Sequence, residues 1–393
     1  MRILKGRKKG LGWRIPGFLL LLICFAGGFS ICGRAEGAAE ADGEITLPPA
    51  YTELEDFLSP DVAELLPEGL FSENAEEALT AAEELTDWRY LLNALLSAVG
   101  LRLSDTVALL CSLVGITLIS ALLGRLKECA GGGGGELFGF CVRLALYTAM
   151  VLQTVGILEV VKAHFAQVNR LMGGMLPVMG ILYALGGNPG QAAVNQEVVT
   201  VLLALCEYVG ATVTPPVCAA CTSFALMDAL GLRMTLAPLC EQVKRWYASI
   251  LGIVTFLFSL ALSLQTALAG KADSLGMRGI KYAVGNMLPM VGGAVSGALG
   301  TVATGVSLLR GICGTSGIVL MVLLLIPTLV QILLLRSTIR LAASIAALLS
   351  CDGEARLLGE MASIHGYLAA AVAMGAVTFI IALSLLAHSA TAI

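Results

Sequence analysis

From Ser104 to the end of the chain, long apolar runs alternate with short polar or glycine-rich connectors. The clearest runs are Thr106–Leu123, Leu137–Val161, Tyr247–Ala269, Ile318–Leu335 and Tyr367–Leu386, each near the length of about 20 residues that carries a helix across a bilayer. Weaker or interrupted runs are Leu171–Leu185, Val198–Val213, Val217–Leu232 and Ala283–Leu309, and Ile339–Leu349 is short enough to lie along the interface. The pattern predicts an all-α polytopic membrane helix bundle of about seven to nine spans, some broken or re-entrant. Ahead of the runs, Asn74 to Val99 reads as a helix with an acidic beginning (Glu76, Glu77, Glu83, Glu84) and an intermittent stripe of Leu79, Leu85, Leu92, Leu95 and Leu96. Glu44 to Pro60 is bounded by prolines and reads as irregular.

The first 14 residues carry Arg2, Lys5, Arg7, Lys8, Lys9 and Arg14, an apolar centre follows from Ile15 to Ile31, and Ala38-Ala39-Glu40-Ala41 comes next. That order is a signal peptide over residues 1–34, with an uncleaved anchor as the alternative. Either way the following segment is expected outside the cytoplasm, because the positive head stays inside. Residues 35–103 hold 16 acidic and two basic side chains. One or two short helices bury little core, so this segment is expected to dock on the membrane domain or a partner. The alternative is a disordered acidic spacer. Residues 104–136 are the first span and a linker with five glycines, Gly131 to Gly135. With Ser104 outside, Arg125, Lys127, Arg233, Lys244 and Arg245 fall inside. The basic stretches Lys162–Arg170 and Lys271–Lys281 then fall outside, unless they are interfacial helices or the adjoining weak runs are re-entrant.

Composition agrees with lipid as the solvent. Of 393 residues, 57% are hydrophobic and 13% charged, against about 25% charged in soluble domains; mean hydropathy is +0.87. The 45 glycines suit membrane helices that must approach closely. The net charge of -4 and the lack of a basic patch argue against nucleic acid as a partner. None of the 11 cysteines lies in residues 35–103, so no disulfide framework is expected. Cys218 and Cys221 form a C-x-x-C whose expected role is packing, with redox or metal chemistry as the alternative.

A repeat stands out. Leu171-Met-Gly-Gly-Met-Leu-Pro-Val-Met-Gly180 recurs as Ala283-Val-Gly-Asn-Met-Leu-Pro-Met-Val-Gly292, at an offset of 112 residues. It suggests duplicated units over 137–248 and 249–360, with a last span in 361–393; chance recurrence is the alternative. Pro177 and Pro289 cannot donate a backbone hydrogen bond and would kink or break a helix. Gly180, Gly292 and Gly293 are candidates for close backbone packing at these joints. Paired interrupted segments are also the pointer to a transporter site.

Ionisable groups within the apolar runs are the default sites. They are Arg143, Glu159, Glu197, Glu207 and Asp228. Arg143 and Glu159 lie near opposite ends of one run, and Glu197 reads as a helix start. Glu207 and Asp228 lie deeper and would pair with Arg143 or face an aqueous path. His164, His365 and His388 are far apart and near run ends. No nucleotide-binding, dinucleotide or nucleophile-elbow motif occurs. No catalytic residue, cofactor site or metal site is assigned, and enzyme activity is not expected.

The layout resembles the stage III sporulation protein AE family. The resemblance is carried by Gly279-Ile-Lys-Tyr-Ala-Val-Gly-Asn-Met-Leu-Pro-Met-Val-Gly-Gly293, Gly314-Thr-Ser-Gly317 and Ile326-Pro-Thr-Leu329, in the order signal peptide, acidic segment, membrane region. It implies a membrane subunit of a secretion-like channel complex in the mother-cell membrane around the forespore, needed for forespore development after engulfment. Its implied partners are other sporulation membrane proteins, including a secretion-type ATPase, together with the lipid bilayer. From the residues alone, the alternative is a stand-alone secondary transporter that uses the broken helices and buried acids.

Overall fold

The computed structural model describes residues 47, 49–58, 62, 66–130, 135–185, 189–230, 236–260 and 292–388. Residues 1–46, and with them the signal peptide, lie outside the described residues, as do Pro289 and most of the second glycine–proline box. The described residues are all-α, and six of their helices are long and apolar enough to cross a membrane.

The chain enters through α1 (Pro49–Thr52), continued by a 3-10 turn over Glu53–Phe57, so the stretch expected to be irregular is partly helical. Then come α2 (Ala75–Thr86) and α3 (Trp88–Ala130). The single helix expected over 74–99 is interrupted at Asp87, whose backbone is extended. Its carboxylate accepts the Arg89 N–H at 3.1 Å and its carbonyl accepts the Tyr90 N–H at 3.0 Å, so Asp87 caps α3. Asn74 caps α2 in the same way, accepting from the Glu76 N–H at 3.0 Å.

The remaining elements are α4 (Gly135–Leu185), α5 (Pro189–Tyr208), a π segment (Val209–Val213), α6 (Thr214–Ala229), α7 (Ala237–Leu260), α8 (Gly292–Leu348) and α9 (Asp352–His388). Several runs that hydropathy separates are therefore continuous. Leu137–Val161 and Leu171–Leu185 are one helix, α4, and the basic stretch Lys162–Arg170 is no loop. Lys162 pairs with Glu159 at 2.8 Å one turn back, while His164, Phe165 and Val168 turn into the core. Pro177 sits inside α4 without ending it. Val198–Val213 and the described part of Val217–Leu232 belong to one rod, α5 through α6. Pro215 and Pro216 cannot donate to the turn before them. The ladder widens into the π segment, and the Thr214 hydroxyl donates to the Val209 carbonyl at 2.8 Å. The described part of Ala283–Leu309, with Ile318–Leu335 and nearly all of Ile339–Leu349, lies in α8.

The helices pack in two tiers around a central hairpin of α8 and α9. One core joins Leu113, Val142–Phe165 on α4, Leu325–Ala346 on α8 and Leu357–Ala376 on α9. The other joins the acidic segment, from Leu47 to Ala94, to Val168–Met179 on α4, Val199–Leu203 on α5 and Ile312–Leu324 on α8. The acidic segment thus docks on the bundle, and the first glycine–proline box is part of its seat. Tyr51 is fully buried there and donates to the Ser316 hydroxyl at 3.2 Å. Burial pushes its phenol well above the ordinary range, so it stays neutral.

The hairpin turns through Leu349-Ser350-Cys351. The Cys351 N–H reaches the Ala346 carbonyl at 2.9 Å and the Ser350 N–H reaches the Ala347 carbonyl at 3.1 Å. This is a Schellman closure, with Ser350 at φ 61° where glycine is usual. Serine in that region carries a steric cost that glycine lacks, so Ser350→Gly is expected to stabilise the protein by about 1 kcal/mol. A raised unfolding midpoint in detergent checks this; an unchanged or lowered midpoint contradicts it.

Candidate functional site

Two residues flagged separately in the sequence, Pro177 and Glu207, meet in one groove. It lies between α4 and α5, encloses about 510 Å³, and is lined by Asn169, Gly173, Leu176, Pro177, Gln196, Thr200, Leu203, Ala204 and Glu207. The half-buried Glu207 carboxylate accepts a hydrogen bond from the Asn169 amide. The Thr200 hydroxyl donates to the Gln196 carbonyl at 2.8 Å. Pro177 faces the groove and removes the N–H that the Gly173 carbonyl would otherwise accept. This also explains why α4 continues. The lost bond lies on the open side, while Met175, Val178 and Met179 stay buried in the acidic segment's core.

Arg143 and Asp228 lie elsewhere. Arg143 donates through Nε to the Gly139 carbonyl at 2.9 Å and through Nη1 to the Ala229 carbonyl at 2.7 Å. It therefore caps the C-terminal end of α6. A Cβ added to Gly353 would stand 2.9 Å from its Nη1. Asp228 is half-buried at the same end. Among the described residues no ion pair joins Arg143 to Glu207 or Asp228. Glu197 lies exposed inside α5 rather than at its start. His164 and His365 are fully enclosed in α4 and α9, away from helix ends.

The glycines that permit close approach are mostly others than those expected. A Cβ on Gly180 would meet nothing within 4 Å. Gly292 and Gly293 open α8. Close contact falls instead at Gly317, where a Cβ would stand 2.5 Å from Met175 Cε, and at Gly210 and Gly375, which hold the Phe165 ring between α4, the π segment and α9.

The strongest buried polar contact was not foreseen. Lys244 on α7 is 2% exposed and bonds Glu360 on α9 at 2.7 Å, with Glu241 at 3.2 Å and the Ser363 hydroxyl at 3.2 Å. Its spacing beside Arg245 reads as a cytoplasmic loop charge, and only the helical start at Ala237 turns it inward. The same end carries a second tie, Ser120 donating to the buried Glu354 at 2.9 Å. Cys218, Cys221 and Cys240 are also buried here, with Cys240 Sγ 3.8 Å from the Cys221 carbonyl. Among the described residues no group of three His, Cys, Asp or Glu is placed to hold a metal.

Fold and site together define a polytopic α-helical membrane protein with a polar groove at one end of its bundle and an ionic tie near the other. A family model for stage III sporulation protein AE (spore_III_AE) matches residues 71–390, and the chain belongs to that family. No curated protein and no solved structure matches it.

Lys244→Met leaves Glu360 without its buried partner and is expected to destabilise the protein by about 3 kcal/mol, whereas Lys244→Met with Glu360→Met recovers most of the loss. Unfolding midpoints of the two variants in detergent check this. Equal losses in the two variants would mean that the stranded Glu360 carboxylate is not what costs the stability.

Proposed function

We propose that this protein is a non-enzymatic membrane subunit of a sporulation channel or secretion-like complex. In this reading it sits in the mother-cell membrane around the forespore, and its acidic segment faces the intermembrane space. The complex sustains forespore development after engulfment, and its other members include sporulation membrane proteins and a secretion-type ATPase. Family membership supports the sporulation role.

The observation that carries the subunit reading is the mismatch between helix length and bilayer thickness. α4 has 51 residues and α8 has 57, about 75 and 85 Å long at 1.5 Å per residue, against a hydrocarbon layer of about 30 Å. The core that runs from Leu325 to Ala346 and from Leu357 to Ala376 matches that layer in length. Lipid-facing Leu144, Leu152, Val155, Ile250, Ile253 and Phe256 surround it. The excess helix forms the second tier with the acidic segment. Arg125, Arg143, Lys244, Arg245 and Arg356 gather toward the hairpin turn. The positive-inside rule makes that end cytoplasmic and the second tier external. The external part of α3 leaves Leu92, Leu95, Leu96 and Leu103 exposed on one side, an apolar face suited to a companion membrane protein.

A pull-down of the tagged protein from detergent-solubilised sporulating cells tests this. Recovery of a secretion-type ATPase and other sporulation membrane proteins is expected, with a clear loss when Leu96→Glu and Leu103→Glu are combined. A lone protein surviving mild detergent would overturn the reading. The secondary-transporter reading draws on the meeting of Pro177 and Glu207 in one groove. It is weakened by the groove's place at the end of the spans rather than at their middle, where transporter sites lie.

A further inference from the structure

We infer that the groove between α4 and α5 is a binding site for a primary ammonium group carried on a short aliphatic chain. Its volume of about 510 Å³ lies in the ordinary range for small-ligand sites.

The polar lining is rich in acceptors. An ionised carboxylate accepts at both oxygens; Glu207 gives one of them to the Asn169 amide and keeps the other. The Gly173 carbonyl lacks its helical donor because residue 177 is proline. It is also open to approach, since even a Cβ at Gly173 would meet nothing within 4 Å. The Thr200 hydroxyl spends its hydrogen on the Gln196 carbonyl, so towards a ligand it acts as an acceptor. Among the described lining residues Glu207 is the one charged side chain, with no lysine or arginine beside it. Leu176, Pro177, Leu203 and Ala204 supply an apolar wall beside these oxygens.

Each feature narrows the ligand. The negative charge and surplus acceptors call for a cation that donates hydrogen bonds. A divalent metal ion demands six or more oxygen ligands, commonly with several carboxylates, and the groove has one carboxylate. A quaternary ammonium is held by aromatic faces, and no aromatic residue is among the described lining residues. A primary ammonium donates N–H bonds and suits the Glu207 carboxylate, while its methylenes suit the leucine and proline wall that runs on toward Gly173 and Thr200. Two sources carry this group: an ethanolamine phospholipid headgroup, or a soluble aliphatic amine.

The test uses the full-length protein in nanodiscs of phosphatidylcholine alone, titrated with n-butylamine by calorimetry at constant ionic strength. Tetramethylammonium is the matched control. Saturable butylamine binding is expected, with no saturable response to tetramethylammonium. Glu207→Gln is expected to weaken butylamine binding at least tenfold. Asn169→Ala, which removes the amide that orients the Glu207 carboxylate, is expected to weaken it several-fold, and it serves as the readout if the Glu207 variant does not fold. Nanodiscs containing phosphatidylethanolamine separate the sources. Competition that raises the apparent Kd for butylamine assigns the site to the lipid headgroup, and an unchanged Kd assigns it to a soluble amine. Equal responses to butylamine and tetramethylammonium, no saturable binding, or wild-type affinity in the folded variants would each overturn the assignment.

Discussion

Lipid gives apolar side chains nothing to escape from, so helices in a bilayer are held by close packing rather than by hydrophobic expulsion. Here that packing is concentrated on the α8–α9 hairpin, against which α2, α3, α4, α5 and α6 all rest. Three small residues make the approach possible. Gly317 admits Met175 of the first glycine–proline box, while Gly210 and Gly375 admit the Phe165 ring from two sides. α7 keeps most of its surface exposed and is tied to the hairpin by a buried charge, Lys244 on Glu360. Buried ion pairs are costly to break from one side only. This one fixes the position of a helix whose apolar contacts are few.

The bilayer imposes a second constraint, a length. Helices that overshoot it must bury their excess against something other than lipid. The acidic segment supplies part of that cover. Tyr51, Leu54, Leu70, Ala78 and Leu85 close the core that Leu171, Met175, Val319 and Leu323 open. The segment's many carboxylates remain on its outer surface, as Glu76, Glu77, Glu83 and Glu84 show. Apolar faces inward and charge outward is the arrangement of a water-facing domain. The same logic places the groove of Asn169, Thr200 and Glu207 where polar side chains, and the Gly173 carbonyl that lacks the residue 177 donor, meet solvent without penalty.

The all-α membrane class, the distinct acidic segment and the sporulation family were legible in the sequence. The partition into helices was legible only in part, because hydropathy measures polarity and not direction. Lys162 and Arg170 interrupt an apolar window, yet they lie on one side of a continuous α4 while His164, Phe165 and Val168 face the core. Pro215 and Pro216 look like a break, yet a widened turn absorbs them. The site was legible residue by residue: Pro177 and Glu207 were both marked, but 30 positions separate them in sequence, and only the packing of α5 on α4 joins them. Lys244 and Glu360 pair across 116 positions, and nothing local to either signals it. The close-packing glycines were missed because Gly210 and Gly375 stand outside any repeated motif.

The central claim is that the long helices cross the bilayer in one tier and continue beyond it in a second, external one. Substituted-cysteine labelling with a membrane-impermeant maleimide, in intact non-sporulating bacterial cells that carry the protein in their cytoplasmic membrane and read above the background of the native cysteines, tests it most directly. Thr80→Cys and Gln196→Cys are expected to label from outside, Asp352→Cys only after permeabilisation, and Ile253→Cys in neither condition. Protection of Gln196→Cys to the level of Ile253→Cys, or labelling of Asp352→Cys from outside, would contradict the account.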